Sequence, residues 1–245
     1  MVSDVRVLVS GASIAGPALA HWLSRRGAEV TVVERAPGLR PGGQAVDARG
    51  VAREVIRRMG LDAPLRAVYT NTAGAYKVDA AGKVLETYRA EDDGGDGYIS
   101  EIEVLRGDFS RVLYDDTSAA VEYVFGDRIA ELTQDADGVD VIFASGQERR
   151  FELVIGADGL HSALRAMVFG PREDFVRHLG LVLAFYTVAN EFEIDGWMIV
   201  YQNAGPLRGP TTRPRSDQGD RDALVPRPRV RCRLPRHRGP EAAAS

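Results

Sequence analysis

The stretch from Val5 to Glu34 leaves a chain few ways to fold. Val5, Val7, Leu8 and Val9 make a short, nearly continuous apolar run, the pattern of a strand buried on both faces of a parallel sheet. Ala15, Ala18, Leu19, Trp22 and Leu23 then fall at i, i+3, i+4, i+7 and i+8 on one helical face, and Arg25, Arg26 and Gly27 close the segment. Val30 to Val33 is a second, β-branched strand. A right-handed crossover makes the two strands parallel neighbours, which puts the first strand-to-helix turn at the carboxyl edge of the sheet.

That turn reads Gly11-Ala12-Ser13-Ile14-Ala15-Gly16, a G-x-S-x-x-G variant of the dinucleotide fingerprint. Gly11 permits the tight turn, a small residue at Ser13 lets the backbone approach a pyrophosphate, and Gly16 lets helix and strand pack closely. The helix N-terminus faces the phosphate charge. Glu34 ends the second strand 23 residues after Gly11, where a carboxylate accepts from a ribose 2′-hydroxyl and repels a 2′-phosphate. The pattern predicts nucleotide binding; the alternative is a glycine-rich turn that serves packing alone.

Further along, residues 47–60 read as one helix ended by Gly60. From Tyr69 to about Ile102, short strands separated by Gly, Asp and Asn predict an antiparallel excursion. Leu105, Phe109, Val112 and Leu113 return to helical spacing and leave Arg106 off the apolar face. Two or three strands follow at about 121–143, with a hairpin around Asp137-Gly138. Phe151 to Ile155 reads as a buried strand running through Gly156-Ala157-Asp158-Gly159 into a helix lined by Leu160, Leu164, Met167 and Val168. Residues 173–203 read as two β segments containing Phe185, Tyr186, Phe192, Trp197 and Tyr201.

The expected class is α/β: a Rossmann-like dinucleotide domain with a parallel sheet, plus a partial antiparallel β domain. Its expected boundaries are 1–170 for the first domain, with the β excursion at about 69–102, and 171–207 for the start of the second. With 245 residues, 44% of them hydrophobic, such a chain buries a substantial core without metal or disulfide. Residues 208–245 differ: ten Arg against four acids, six of the twelve prolines and no aromatic predict a disordered tail.

Several functions are excluded on composition. Cys232 is the only cysteine and forms no intrachain bridge, which suggests a reducing compartment. No run approaches the roughly 18 apolar residues needed to span a bilayer, and Asp4 precedes the first apolar run where a signal peptide needs basic residues, so a cytoplasmic protein without membrane contact is expected. His21, His161, His178 and His237 are scattered without zinc spacing, so no metal site is expected. Ala15 breaks the nucleophile-elbow pattern around Ser13. Arginine richness in the tail does not by itself specify a nucleic-acid partner, and none is expected.

Three later segments carry a resemblance. Val154-Ile155-Gly156-Ala157-Asp158-Gly159-Leu160-His161-Ser162-Ala163-Leu164-Arg165 resembles the Asp-Gly motif of the FAD-dependent aromatic hydroxylases. This is the p-hydroxybenzoate hydroxylase-like class, which includes tetracycline-inactivating monooxygenases and polyketide hydroxylases. Ile102-Glu103-Val104-Leu105-Arg106-Gly107-Asp108-Phe109 is similar to the helix start in that class whose arginine reaches the flavin. Glu34-Arg35-Ala36-Pro37, followed by Gly42-Gly43-Gln44-Ala45-Val46-Asp47-Ala48-Arg49-Gly50, is similar to its adenosine strand and flavin-edge loop. The likeness runs over about residues 4–205, with the motifs in the family's order.

The resemblance implies that Gly11, Ser13 and Gly16, with Ile14 and Ala15 between them, hold the FAD pyrophosphate, Glu34 the adenosine ribose and Arg35 the adenine side. It implies that Arg106 bonds the flavin or ribityl end, and that Asp158 and Gly159 bridge FAD and a transient NADPH (or NADH) pyrophosphate. It places Gln44 and Asp47 beside the isoalloxazine and Arg40 near NADPH. The plainer readings are a solvated helix arginine for Arg106, a helix cap for Asp158, and surface-loop positions for Arg40, Gln44 and Asp47. The implied chemistry belongs to the cofactor: NADPH reduces FAD, O₂ is taken up as a C4a-hydroperoxide, and the distal oxygen passes to an electron-rich aromatic or polyketide-type small molecule. It requires no catalytic acid or nucleophile from the chain, and none is assigned. The aromatics of 173–203 line a substrate sheet or form ordinary core.

The family also places a Gly-Asp motif after its substrate domain. Here Gly107-Asp108 and Gly126-Asp127 come too early, and Gly219-Asp220 lies in the Arg/Pro tail. The sequence is therefore read as C-terminally truncated or frameshifted. Two functional classes follow: an FAD monooxygenase, or a non-catalytic nucleotide-binding fragment of one. A plain NAD-dependent dehydrogenase has no use for Asp158-Gly159.

Overall fold

The computed structural model describes residues 5–92, 99–100, 102–180, 184 and 196–201. The expected first unit is present: β1 (Arg6–Ser10), α1 (Ala15–Ser24) and β2 (Glu29–Glu34). Next come β3 (Ala45–Asp47), α2 (Val51–Met59), α3 (Asp62–Arg66), β4 (Gly74–Val78), β5 (Val84–Arg89), β6 (Glu103–Leu105) and α4 (Arg106–Thr117). The chain continues through β7 (Glu122–Phe125), β8 (Ile129–Gln134), β9 (Val139–Phe143), β10 (Glu148–Phe151), β11 (Leu153–Gly156), α5 (Ala163–Phe169) and β12 (Trp197–Tyr201). Two compact units result, Met1–Thr70 with Ile102–Tyr186, and Asn71–Glu101 with Thr187–Ser245.

The first unit is built on a four-stranded parallel sheet in the order β11-β1-β2-β7. Alternation in its central strands divides two layers. Val7, Val9, Val30 and Val32 turn to one side, where Ala20 of α1 packs among them. Leu8 and Val33 turn to the other, against Ile129, Val139, Val141, Phe143 and Phe151 of an antiparallel sheet ordered β10-β9-β8. Both faces are thus covered, which is why the strands read as continuous apolar runs. Each fully buried Val or Leu is worth roughly 1.5–3 kcal/mol, so a one-residue slip of β1 or β2 is strongly disfavoured. On its outer side α1 meets α4: Ile14, Ala18 and Trp22 pack beside Phe109 and Leu113, and the buried His21 Nδ1 bonds Asp116 Oδ2 at 2.5 Å.

Three local expectations are corrected. Residues 47–60 are not one helix: Asp47 pairs with Glu103 in a β3–β6 ribbon, and α2 starts only after Gly50, whose φ of 52° and ψ of −123° lie outside helical space. Phe151 to Ile155 splits at Glu152, because Phe151 ends an antiparallel pairing with Val139 while Leu153 begins a parallel one with Val7. Leu160 precedes the Ser162 cap and does not belong to α5, and of the expected apolar line only Leu164 is buried; Met167 and Val168 are exposed.

In the second unit β4 and β5 form the expected antiparallel hairpin, and β12 adds to β4 in parallel. Trp197 stacks on Tyr76 with ring centroids 4.4 Å apart, and the Arg89 guanidinium lies 5.8 Å from the Trp197 ring. Residues 172–180 hold a single 3-10 turn, Arg172–Asp174, where a strand was expected to begin at 173. Phe185, Tyr186, Phe192 and the 208–245 tail lie outside the described residues. Among the described residues no helix is long and apolar enough to cross a membrane. The α/β class, with a parallel sheet and additional antiparallel strands, is the one the sequence predicts.

Candidate functional site

Because β1 has β2 on one side and β11 on the other, the chain leaves β1 in opposite directions to reach its neighbours. In open α/β sheets the crevice outside the carboxyl ends at such a switch point is where ligands bind. The turn after β1, the ends of β2, β7 and β11, the Arg40–Gln44 loop and the start of α4 line a cavity there of about 1020 Å³. That volume is at the upper end of the roughly 300–1,000 Å³ range of small-molecule and cofactor sites.

The turn after β1 is tightly determined. Gly11, at φ +113°, donates its N–H to Val33 O at 2.8 Å, and a Cβ there would meet Ala157 O at 2.6 Å. A Cβ on Gly16 would lie 1.9 Å from Gly11 O, so α1 and the turn touch as backbone. Ala157 N donates to Ser10 O at 2.8 Å and fastens the turn after β11 alongside.

Glu34 does more than end β2. Its Oε2 accepts from Ala12 N and its Oε1 from Ala36 N, both at 3.0 Å, so it holds the glycine turn and the start of the next loop together. Each carboxylate oxygen keeps a lone pair for a ligand hydroxyl.

Across the cavity, the loop before β3 lies on α4. Arg106 N donates to Gln44 O at 3.0 Å and Gly107 N to Gly42 O at 2.8 Å, and any side chain at Gly107 would strike Gly42 N at 2.5 Å. The Arg106 Nη1 donates to Ser13 Oγ at 3.3 Å. Asp158 Oδ2 accepts from Ala163 N at 2.8 Å and Leu164 N at 3.2 Å, which makes it a cap of α5 together with Ser162, whose Oγ accepts from Arg165 N. Its other oxygen, Oδ1, is buried without a hydrogen-bond partner. A buried acceptor left unpaired is costly, and it fits a ligand hydroxyl or amide.

Gly11, Ser13, Glu34, Arg35, Arg40, Gln44, Arg106, Asp158 and Gly159 are therefore brought to one cavity. Ile14, Ala15, Gly16 and Asp47 do not line it: Ile14 precedes α1 and faces the core, Gly16 is buried in the helix–strand contact, and Asp47 accepts from the Arg49 side chain.

The sequence assigns no site role to the turn after β7, which the fold brings to the cavity. Gly126, Asp127 and Arg128 line the cavity because β7 pairs with β2, placing Phe125 opposite Glu34. Asp127 accepts from Arg128 N at 2.8 Å, Ser145 N at 3.1 Å and Ser145 Oγ at 2.6 Å, and the Ser145 hydroxyl foremost holds its carboxyl below the ordinary value. A folded-state value below the unfolded one means stability that is present at neutral pH and lost as pH falls below about 4. Asp127→Asn keeps an oxygen for the two N–H donors but removes the charge that strengthens all three bonds and turns an NH₂ toward the Ser145 hydroxyl, so it is expected to lose about 1–2 kcal/mol at pH 7. Urea unfolding at pH 7 and pH 3 checks this: the gap between wild type and variant should narrow at pH 3, and an equal gap at both would refute the assignment.

The charges suit a polyanion. Arg35, Arg40, Arg106 and Arg128 line the cavity and, among the described residues, form no ion pair, while Glu34, Asp127 and Asp158 are engaged by backbone N–H groups. Unneutralised guanidinium groups beside a glycine turn at a helix N-terminus fit a dinucleotide's diphosphate.

Comparison with known proteins agrees with that fit. The family model described as FAD binding domain matches residues 4–236, and the chain belongs to that family. An uncharacterised protein of Mycobacterium tuberculosis is 48% identical over 204 residues, covering 83% of this chain and 55% of the relative. A flavin-dependent monooxygenase of Legionella longbeachae is 39% identical over 190 residues, covering 78% and 48%. Among solved structures, tetracycline destructase Tet(55) superimposes with a TM-score of 0.61 at 39% identity, over 68% of this chain and 41% of that one. The chain spans about half the length of the curated relatives it matches.

Proposed function

We propose that this chain binds FAD in the cavity at the carboxyl edge of the β11-β1-β2-β7 sheet. In this reading it serves a flavin-dependent monooxygenase that consumes NADPH or NADH and inserts one oxygen atom of O₂ into an aromatic or polyketide-type small molecule. The observation that carries it is that Ser13, Glu34, Arg106 and Asp158, from motifs up to 145 residues apart in sequence, line a single cavity. The likeness to a tetracycline destructase supports the polycyclic aromatic class of substrate.

Bound FAD would supply acceptance of a hydride from the nicotinamide and activation of O₂. The chain's own work is binding and orientation. The Gly11–Ser13 turn and the α1 N-terminus face the diphosphate, and Glu34 accepts ribose hydroxyls on its remaining lone pairs. Arg35 and Arg128 flank the adenosine side, Asp158 Oδ1 accepts from the cofactor, and the Arg40–Gln44 loop with Arg106 borders the flavin side.

The test is the visible absorption of the purified chain, with identification of any cofactor released on denaturation. A yellow protein releasing FAD, and oxidising NADPH when aromatic polyketides are supplied, supports the full reading. The coverage of only about half of the relatives favours a second reading, an FAD-binding piece without turnover, and bound FAD with no substrate-dependent NADPH oxidation would select it. A colourless protein that takes up no added FAD overturns both.

A further inference from the structure

His21 and Asp116 line no part of the cavity, yet they join the two helices that lead to it. The His21 side chain is 1% exposed; its Nδ1 lies 2.5 Å from Asp116 Oδ2, and the Arg25 guanidinium reaches Asp116 Oδ1 at 3.4 Å. Asp116 is the second-last residue of α4, a helix with no basic residue in its last turn. A carboxylate there opposes its own helix dipole, so its stabilisation comes from outside, from His21 and Arg25 at the C-terminal end of α1.

At the cavity end of the same two helices, Arg106 Nη1 donates to Ser13 Oγ at 3.3 Å. From Ser13 to His21 and from Arg106 to Asp116 the contacts advance together, so α1 and α4 run side by side in the same direction. Between these two polar contacts the packing is apolar, with Ile14, Ala18 and Trp22 beside Phe109 and Leu113. Apolar contact is non-directional, whereas a hydrogen bond tolerates only a narrow range of length and angle. A slide of α4 by one residue's rise, about 1.5 Å, is enough to break the contact that sets Arg106 beside Ser13. We propose that His21 and Asp116 are positioning residues for the cofactor: their bond fixes α4 along α1, about 15 Å from the cavity end, and so holds the Arg106 guanidinium in place. The proposal rests on the FAD reading of the cavity. It requires neither residue to touch FAD.

Fluorescence titration of FAD into the wild type, His21→Leu, His21→Asn, Asp116→Ala and the His21→Leu/Asp116→Ala double variant tests this, with Asp116→Ala repeated in an Arg106→Lys background. Loss of the bond should weaken FAD about tenfold in His21→Leu and in Asp116→Ala. The double variant should lose no more than either, because each substitution already breaks the shared contact. His21→Asn presents an amide N–H where the ring has its Nδ1, and should stay within about threefold of the wild type. A lysine at 106 is a flexible point charge that does not depend on a fixed placement, so Asp116→Ala should cost less than about threefold there. Asp116 is 17% exposed and opposes its own helix dipole, so Asp116→Ala carries the test if His21→Leu does not fold. The pair is overturned if Asp116→Ala binds FAD as tightly as the wild type, or if His21→Asn loses as much as His21→Leu. It is overturned equally if Asp116→Ala costs about tenfold in the Arg106→Lys background as well, which is what a general loss of stability produces. Each of these results, in a chain that binds FAD, leaves the FAD reading standing; a wild type that takes up no FAD sinks both.

Discussion

Gly16→Ala is expected to be the most damaging glycine-to-alanine substitution among the described residues, lowering unfolding stability by about 3 kcal/mol and FAD affinity by about a hundredfold. The added Cβ would lie 1.9 Å from Gly11 O, and the atom it meets is backbone that cannot rotate away. Either α1 retreats from β1 or the Gly11 turn is pushed outward. Both moves disturb the Gly11–Val33 and Ala12–Glu34 bonds that shape the cavity floor. Gly38→Ala is the matched control, because a Cβ there meets nothing within 4 Å and its φ is not positive. Thermal unfolding of the apo-protein and fluorescence titration with FAD read the two effects. If Gly16→Ala melts within a degree of Gly38→Ala, the close backbone approach is not what holds the turn.

This dependence was legible in the sequence because it is local. Strand, Gly11 to Gly16, helix and strand lie within thirty residues, and the right-handed crossover then fixes the carboxyl edge. Asp158 is legible for the same reason, as a carboxylate in a strand-to-helix turn, whereas the division of its oxygens, Oδ2 capping α5 and Oδ1 buried without a partner, emerges only in the fold.

What the sequence concealed is non-local. Arg128 enters the site only because β7 pairs beside β2, and no spacing within 121–143 announces that partner. Gly126-Asp127 comes too early for the family's late Gly-Asp motif, and its part in the fold is to bind Ser145 and to hold the turn under Glu34 through Gly126 N on Ala36 O. The helical period assigned from Leu160 failed for a different reason. Asp158 and Ser162 cap α5 at Ala163, so Leu160 precedes the helix and only Leu164 reaches the core.

Glu34 gives the second large effect. Read from the sequence it is a ribose acceptor; in the fold its two oxygens already accept Ala12 N and Ala36 N, and Ala12 is buried. Glu34→Ala strands the Ala12 donor away from water, at about 1–3 kcal/mol, and leaves the half-buried Ala36 donor at a smaller cost, so the apo-protein should lose about 2–3 kcal/mol. Glu34→Gln recovers only part of this. Its amide oxygen accepts one N–H, while its NH₂ group turns a donor toward the other, so it should fall between wild type and alanine. FAD affinity should drop by about a hundredfold in the alanine variant, since the turn that faces the diphosphate loosens along with the loss of the ribose acceptor. Urea unfolding without ligand separates the two roles. A carboxylate that serves only a ribose would leave all three proteins equally stable until FAD is added, whereas a ranking of wild type, glutamine and alanine in the apo-protein means the residue that binds the nucleotide also builds the turn that receives it.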